Sequence, residues 1–124
     1  MNTRTANYCL KQGFVNIKRN KLFSLASKLD VPFTLHAGEA AGADSVRCAI
    51  EMGARRIGHG VRAFEDDALL SLLKGNQIPL ELCPTSNRQT KVVSDMKTYP
   101  LSDFVKRELA VTLNTDNPAI SSTT

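Results

Sequence analysis

From about Asn20 onward, two kinds of apolar pattern alternate along the chain. Short runs of strand length are separated by longer segments in which apolar residues recur at helical spacing. Strands that alternate with helices in this way predict βα units joined into a parallel sheet. The predicted strands are Phe33–Leu35, Arg56–Gly58, Ile78–Leu82 and Ala110–Leu113.

The segments between the strands carry helix start and stop signals. The sequence Asp30-Val31-Pro32 ends the first helix, and Gly53 is suited to the carboxyl end of the second. Between Arg88 and Thr98 the period is lost, which predicts a long loop. The predicted helices are Leu22–Leu29, Asp44–Met52, Glu65–Lys74 and a fourth that begins at Pro100, with Leu101, Phe104 and Val105 facing inward.

The number of units sets the fold. A (β/α)8 TIM barrel needs eight βα units in about 250 residues, whereas this chain of 124 residues supplies about four. The predicted fold class is therefore α/β, with half of a barrel and one parallel sheet. We expect such a sheet to have two unpaired edges and an uncovered apolar inner face. Poor solubility, self-association, or pairing with a missing half through the edges would follow.

The composition argues against several classes of binding partner and site. The net charge is +4, but the basic residues are scattered rather than gathered into a stripe with aromatic residues, which argues against nucleic acid. No apolar run approaches the roughly 20 residues of a membrane span. Three cysteines without a C-x-x-C pair indicate neither a disulfide framework nor a sulfur-ligated zinc site. Reduced thiols and a cytoplasmic location are expected.

Each predicted strand ends in a polar cluster. The four clusters are His36 with Glu39, then His59, then Thr85-Ser86-Asn87, then Asp116-Asn117. The carboxyl ends of parallel strands converge on one face, where barrel enzymes place their chemistry. The clusters are therefore expected to share a site.

These residue types suit a metal-assisted hydrolase. Neutral imidazole at His36 is a zinc ligand type, and the Glu39 carboxyl can shuttle a proton. His59, between two glycines, suits a base or an electrostatic stabiliser of water. Asp116 suits a metal ligand or an ordinary Asx turn before proline. Taken singly, each histidine could be structural and Glu39 simply solvated, but together the clusters favour the hydrolase. The deaminase fold with H-x-E and P-C-x-x-C is excluded, because the chain has no P-C-x-x-C.

Four motifs carry a resemblance to a known family. They are Thr34-Leu35-His36-Ala37-Gly38-Glu39-Ala40, Arg56-Ile57-Gly58-His59-Gly60, Leu82-Cys83-Pro84-Thr85-Ser86-Asn87 and Asn114-Thr115-Asp116. In this order they resemble bacterial adenosine deaminases of the amidohydrolase type. The resemblance covers 22–124, as the carboxyl-terminal half of the barrel, while residues 1–21 match poorly and are set apart as an amino-terminal segment.

The resemblance implies roles and a reaction. His36 and Asp116 would be ligands of one Zn²⁺, Glu39 the proton donor to purine N1, and His59 the group that orients or deprotonates the attacking water. Asn117, with Gly38, would contact the substrate. The implied reaction converts adenosine and deoxyadenosine to inosine and ammonia, with a purine nucleoside as the partner molecule.

One departure from the family pattern limits these expectations. The H-x-H pair that supplies two further zinc ligands is absent, so the zinc site is incomplete in this chain. We expect a fragment that binds zinc weakly and is inactive alone. Two other interpretations stay open: a non-catalytic half-barrel interaction module, and an aminohydrolase acting on adenine or another substrate.

Overall fold

Helices and strands alternate along the part of the chain that the computed structural model describes, which is residues 17–121, with side chains for 21–119. The elements in chain order are α1 (Ile17–Lys28), β1 (Thr34–Ala37), α2 (Ala43–Glu51), β2 (Arg56–His59), a 3₁₀ helix (Val61–Glu65), α3 (Asp67–Gly75), β3 (Leu80–Leu82), α4 (Pro84–Gln89), a second 3₁₀ helix (Met96–Thr98), α5 (Leu101–Lys106), β4 (Val111–Leu113) and α6 (Pro118–Ser121).

The four strands form one parallel sheet in the order β1-β2-β3-β4. The register places Leu35 beside Ile57, Ile57 beside Leu80, and Leu80 beside Val111. Within the described residues, β1 and β4 each pair with a single neighbour and therefore form the two edges of the sheet. The predicted succession of βα units and the parallel sheet are confirmed.

The helix ends follow from local chemistry. Helix α1 ends at Lys28, just before Asp30-Val31-Pro32, as predicted. Gly53 follows α2 with a φ of +95°, and its backbone N–H donates to the Ile50 carbonyl, which is a glycine-based helix stop. At the start of α3, the Asp66 side chain accepts from the backbone N–H of Leu69.

The core lies between the sheet and the helices that cover one of its faces. Val46 of α2, Leu69 and Leu73 of α3, and Phe104 of α5 are buried with Ile57 and Leu80 of the sheet. Burying each large apolar side chain contributes about 1.5–3 kcal/mol of hydrophobic free energy.

The opposite face of the sheet is polar, which corrects the expectation of an apolar inner face. In the register His36 lies beside Gly58, Gly58 beside Glu81, and Glu81 beside Thr112. Successive side chains of a strand point to opposite faces, so these residues lie opposite the apolar row. Arg56 pairs with Glu81 there, with the Nε to Oε1 distance at 2.7 Å. The short strands left this alternation too brief to recognise in the sequence.

One sequence prediction of packing was wrong. Val105, predicted to face inward, is 56% exposed, while its neighbour Phe104 is fully buried. Leu22 and Leu25 of α1, and Leu29 just after it, are exposed within the described part of the chain. The helical spacing was read correctly, but spacing does not show which tertiary neighbours are present to cover a face.

The segment after β3 also contains more helix than predicted. Helix α4 occupies residues 84–89, and a 3₁₀ helix occupies 96–98 within the predicted loop. Helix α4 has the sequence PTSNRQ, which lacks an apolar stripe, so periodicity could not reveal it. Its one sequence signal is Pro84 at the first turn. The short α6 was not predicted either.

The structure bears on two expectations, one about the cysteines and one about membrane-spanning segments. Cys83 is a buried free thiol, but Cys48 is disulfide-bonded, so the expectation of reduced thiols is wrong for Cys48. Among the described helices, none combines the length and the apolar character that a membrane crossing requires. The cytoplasmic location stays a prediction.

Candidate metal and catalytic site

The carboxyl ends of the strands bring four predicted residues into one small volume. Ligand atoms of His36, His59 and Asp116 all lie within 4.8 Å of one another. Glu39 Oε2 lies 3.3 Å from His59 Nε2, and Asp116 Oδ2 lies 4.0 Å from the same nitrogen. The geometry therefore joins side chains that are up to 80 positions apart in the sequence.

Tight backbone turns at the ends of the strands bring these side chains into the cluster. Gly38 follows β1 with a φ of +69°, and a Cβ added there would lie 2.7 Å from Val46 Cγ2 and 3.0 Å from Gly60 Cα. Only glycine allows the two strand-end loops to approach so closely. His59 and Asp116 also have positive φ, at 63° and 60°. Non-glycine residues in this region are strained, and such strain clusters at functional sites.

His59 is the most enclosed member of the cluster. Its side chain is 2% exposed, and its ring centroid lies 5.1 Å from that of His36, which is exposed. On the other edge of the ring, Nδ1 lies 3.2 Å from Asn87 Nδ2. One edge of the imidazole thus faces the carboxylates and the other faces a buried amide.

The Glu39 carboxylate is held by donors from the segment after β3. Asn87 Nδ2 donates to Glu39 Oε1 at 3.2 Å, and Thr90 Oγ1 lies 3.3 Å from the same oxygen, with the Ser86 carbonyl as its nearer acceptor at 3.0 Å. Oε2, the other oxygen, faces His59. The carboxylate is therefore oriented rather than simply solvated, which answers the alternative that Glu39 has no fixed contact.

Sequence reasoning placed Asn87 in a strand-end cluster without giving it a role, and it missed Thr90 and Tyr99. The Tyr99 hydroxyl donates to Asn87 Oδ1 at 2.9 Å. Burial raises the pKa of Tyr99, with smaller contributions from Cys83 and Glu39, so its hydroxyl stays protonated as a donor. Burial also raises the pKa of Cys83 to about 11, helped by Asp116 and Glu39. The polar cluster that follows β3 was visible in the sequence, but nothing there indicated its contacts.

The two predicted substrate contacts have structural partners of their own. The Gly38 N–H donates to Ser45 Oγ at 2.8 Å, and its carbonyl accepts from the Arg62 N–H at 2.9 Å. Asn117 Oδ1 accepts from the Ala119 N–H at 3.1 Å, which is an Asx turn at the start of α6. The Asx turn that was one of the two interpretations of Asp116 is therefore formed by Asn117 instead. A role of Gly38 and Asn117 with substrate stays a prediction.

The donor set fits zinc chemically. Two imidazoles and a carboxylate are ligand types of catalytic zinc, with bonds of about 2.0–2.2 Å. Ligand atoms around a tetrahedral ion are then roughly 3.5 Å apart. The donors of His36, His59 and Asp116 lie within 4.8 Å of one another, so they are on the order of 1 Å from that spacing, and they supply only part of a tetrahedral ligand set.

A cavity of about 480 Å³ adjoins the cluster on the β1 side. Its wall includes His36, Gly38 and Glu39, with Cys48 and Met52 of the α2 region opposite. This volume is typical of small-molecule sites. His59 and Asp116 are not part of its wall, so the cluster lies at the edge of the cavity rather than at its centre.

The parallel sheet and the strand-end cluster define part of a (β/α) barrel with its polar site at the carboxyl ends of the strands, and the comparisons identify the family. The family model described as adenosine deaminase matches residues 12–124. This chain belongs to the adenosine deaminase family. It is 50% identical over 101 residues to adenosine deaminase of Haemophilus ducreyi and 45% identical over 103 residues to that of Enterococcus faecalis. These matches cover 82% and 83% of this chain but only 29% and 31% of the relatives.

Solved structures extend the likeness to the fold. An adenine deaminase from Arthrobacter aurescens superposes with a TM-score of 0.77 at 31% identity, covering 82% of this chain and 32% of that protein. The N6-methyl-AMP deaminase of Arabidopsis thaliana gives a TM-score of 0.70 at 31% identity, with 81% and 29% covered. An amidohydrolase from Burkholderia ambifaria with bound zinc superposes with a TM-score of 0.73 at 21% identity. The match covers 84% of this chain and 30% of that protein, and it supports the fold alone. The predicted half-barrel class is confirmed.

Proposed function

We propose that this chain forms part of the active site of a zinc-dependent enzyme that hydrolyses adenosine and deoxyadenosine to inosine or deoxyinosine and ammonia. The observation that carries the proposal is the convergence of His36, Glu39, His59 and Asp116 from separate strand ends. Membership of the adenosine deaminase family supports the same reaction class. The higher identity to adenosine deaminases, 45–50%, than to the adenine deaminase, 31%, favours the nucleoside over the free base.

The chain's own residues would divide the reaction among them. His36 and Asp116 hold the metal, which when bound supplies a Lewis acid that lowers the pKa of water toward about 7. Water adds its oxygen to purine C6, and Glu39 delivers a proton to N1. His59 orients the attacking water. One water proton replaces the proton that Glu39 gave to N1, and the other leaves with the C6 amino group as ammonia, which balances the conversion to inosine.

The proposal concerns a part of the complete site. The chain spans about three tenths of the length of the curated relatives that it matches. His36 and Asp116 supply two zinc ligands, whereas catalytic zinc usually has three protein ligands and an open position. We therefore propose that the 124-residue chain is inactive by itself and that further ligands come from outside it. An interaction module without catalysis would not need an oriented Glu39 beside a buried histidine.

A segment exchange tests the proposed function. The matching stretch of about 100 residues in Haemophilus ducreyi adenosine deaminase is replaced by this chain, and turnover of adenosine is followed by the absorbance change on forming inosine. We expect the chimera to deaminate adenosine, and the chain alone to show no turnover with added zinc. Glu39→Gln in the chimera should lower kcat by about 10²–10⁴-fold, because it removes the proton donor.

Controls make the exchange decisive. Glu51→Gln alters an exposed carboxylate at the end of α2 and should leave the kcat of the chimera unchanged. A folded, zinc-loaded chimera without turnover would contradict the proposal. So would full activity of the Glu39→Gln variant. Comparing adenosine with adenine as substrates separates the two aminohydrolase alternatives.

A further inference from the structure

The peptide groups on both sides of Gly38 are tied down in the turn that leads from β1 to Glu39. The Gly38 N–H donates to Ser45 Oγ at 2.8 Å, and the Gly38 carbonyl accepts from the Arg62 N–H at 2.9 Å. The first contact joins the turn to α2, and the second joins it to the 3₁₀ helix after β2. Gly38 lies two residues after His36 and directly before Glu39, so a shift of this turn would displace members of the cluster.

The Ser45 hydroxyl is arranged to accept from Gly38. Ser45 is 7% exposed, lies in the first turn of α2, and places Oγ 2.7 Å from the Gly42 carbonyl. A hydroxyl has one proton and two lone pairs, whereas a carbonyl oxygen can only accept. The hydroxyl proton therefore points to Gly42, and a lone pair of Oγ faces the Gly38 N–H. One buried oxygen thus joins the start of the helix to the turn.

The Gly38 N–H depends on this hydroxyl. Pairing between β1 and β2 ends at Ala37, so within the described residues the N–H has Ser45 Oγ as its acceptor in place of a strand partner. A buried donor without an acceptor is unfavourable, so loss of the hydroxyl would drive the turn to move. Val46 and Gly60 fill the side on which a Cβ of residue 38 would lie, whereas the cavity, whose wall includes Gly38 and Ser45, is open space.

The contacts of the Glu39 carboxyl tolerate little movement of this turn. Its Oε2 lies 3.3 Å from His59 Nε2, and its Oε1 lies 3.2 Å from Asn87 Nδ2. Both distances are near the upper end of the hydrogen-bond range, so a displacement of about 0.5 Å would weaken or break either contact. A group that transfers a proton to a bound substrate has to keep its position.

We propose that Ser45 is a positioning residue, whose hydroxyl fixes the turn at Gly38 and thereby the place of the Glu39 carboxyl. Ser45 acts through Glu39 and takes no part in the chemistry. The effect on turnover rests on the proposed function, whereas the restraint of Gly38 by Ser45 does not depend on it.

Kinetics of the segment-exchange chimera test the effect on turnover. Ser45→Ala should lower kcat by about 10–100-fold and change KM by less than about threefold, because a misplacement on the order of 1 Å can cost about 100-fold in rate. Ser71→Ala is the matched control. It removes a serine hydroxyl that donates to the Asp67 carbonyl at 3.1 Å on the exposed side of α3, and it should change neither constant. An unchanged kcat in Ser45→Ala would overturn the proposal.

A second substitution separates positioning of Glu39 from general support of the fold. In a chimera that already carries Glu39→Ala there is no carboxyl to position, so adding Ser45→Ala should lower the residual kcat by less than about twofold. A loss in this background as large as in the unsubstituted chimera would show that Ser45 acts independently of Glu39, and it would overturn the proposal.

Amide hydrogen exchange of the 124-residue chain, followed by NMR, gives a readout without turnover. The Gly38 N–H should exchange at least about 100-fold more slowly than in an unfolded peptide, and about tenfold or more faster in Ser45→Ala than in the unsubstituted chain. The Leu69 N–H, which is bonded to Asp66 at the start of α3, should keep its rate in Ser45→Ala.

These exchange rates are decisive even if a variant folds poorly. An unprotected Gly38 N–H in the unsubstituted chain would overturn the proposal without any substitution. Equal acceleration at Gly38 and Leu69 in Ser45→Ala would also overturn it, because the loss would then be global. Since no turnover is involved, such a failure is distinct from inactivity of the segment-exchange chimera.

Discussion

His59 Nε2 lies 3.3 Å from Glu39 Oε2, although the two residues follow different strands and are 20 positions apart. The contact arises because β1 and β2 are adjacent and parallel, with Ala37 beside His59 in the register. It places a carboxyl group against the buried imidazole at the edge of a cavity of about 480 Å³. A pair of this kind can hold water and substrate at one point.

Zinc binding should depend on two of the three clustered donors. We expect His36→Ala and Asp116→Ala each to lower the zinc affinity of the chain by at least about 100-fold, because each removes a ligand rather than a supporting contact. His59→Ala should lower it by less than about tenfold. Titration against a zinc-sensitive indicator checks all three. Equal losses in the three variants would make His59 a ligand as well.

Two glycines should respond oppositely to alanine. Gly60→Ala places a Cβ 2.7 Å from Leu80 Cδ2 at a φ of +70°, so it should lower the free energy of unfolding by about 1–3 kcal/mol. Gly75→Ala meets nothing within 4 Å at the end of α3 and should raise it by about 0.5 kcal/mol. Urea unfolding followed by circular dichroism measures both. A neutral Gly60→Ala would show that the strand-end loop relaxes freely.

Neighbouring positions in α5 provide a test of packing. Phe104 is fully buried, so Phe104→Ala should cost about 3–5 kcal/mol through lost burial and a cavity. Val105 is 56% exposed, and Val105→Ala should change the free energy of unfolding by less than about 0.5 kcal/mol. Chemical denaturation of both variants gives the values. Comparable losses would mean that the exposed face of α5 is covered in solution.

Acid should weaken the start of α3. Hydrogen bonds from Arg47 and the Leu69 N–H keep the pKa of Asp66 below its usual value. A carboxylate whose pKa is lowered by folding stabilises the fold above its unfolded pKa of about 3.9, and this contribution is lost as the pH falls through the lower folded value.

Thermal unfolding at pH values from 3 to 7 tests this dependence. Asp66→Asn keeps a side-chain cap but loses the charge, so the midpoint should fall near neutral pH and depend less on acid than in the unsubstituted chain. Asp103→Asn makes the same change on an exposed carboxylate in α5 and should preserve the acid dependence. An unchanged pH profile for Asp66→Asn would contradict the assignment.

The sequence by itself determined the order of the four strands and of the longer helices, the parallel sheet, and the strand-end positions of His36, Glu39, His59 and Asp116. Those features are local: apolar runs, helix stops such as Gly53, and polar residues directly after each strand. The site residues could be grouped without coordinates because parallel strands bring their carboxyl ends to one face.

Only the tertiary structure decided what those residues contact. The polar face of the sheet, the exposure of Val105 and the disulfide at Cys48 depend on neighbours that no local pattern specifies. The same holds for Asn87, whose sequence neighbours in α4 do not reveal that it joins Glu39, His59 and Tyr99. Hydrogen-bond partners tens of residues apart are set by packing, because the distance along the chain between two groups says nothing about their separation in the fold.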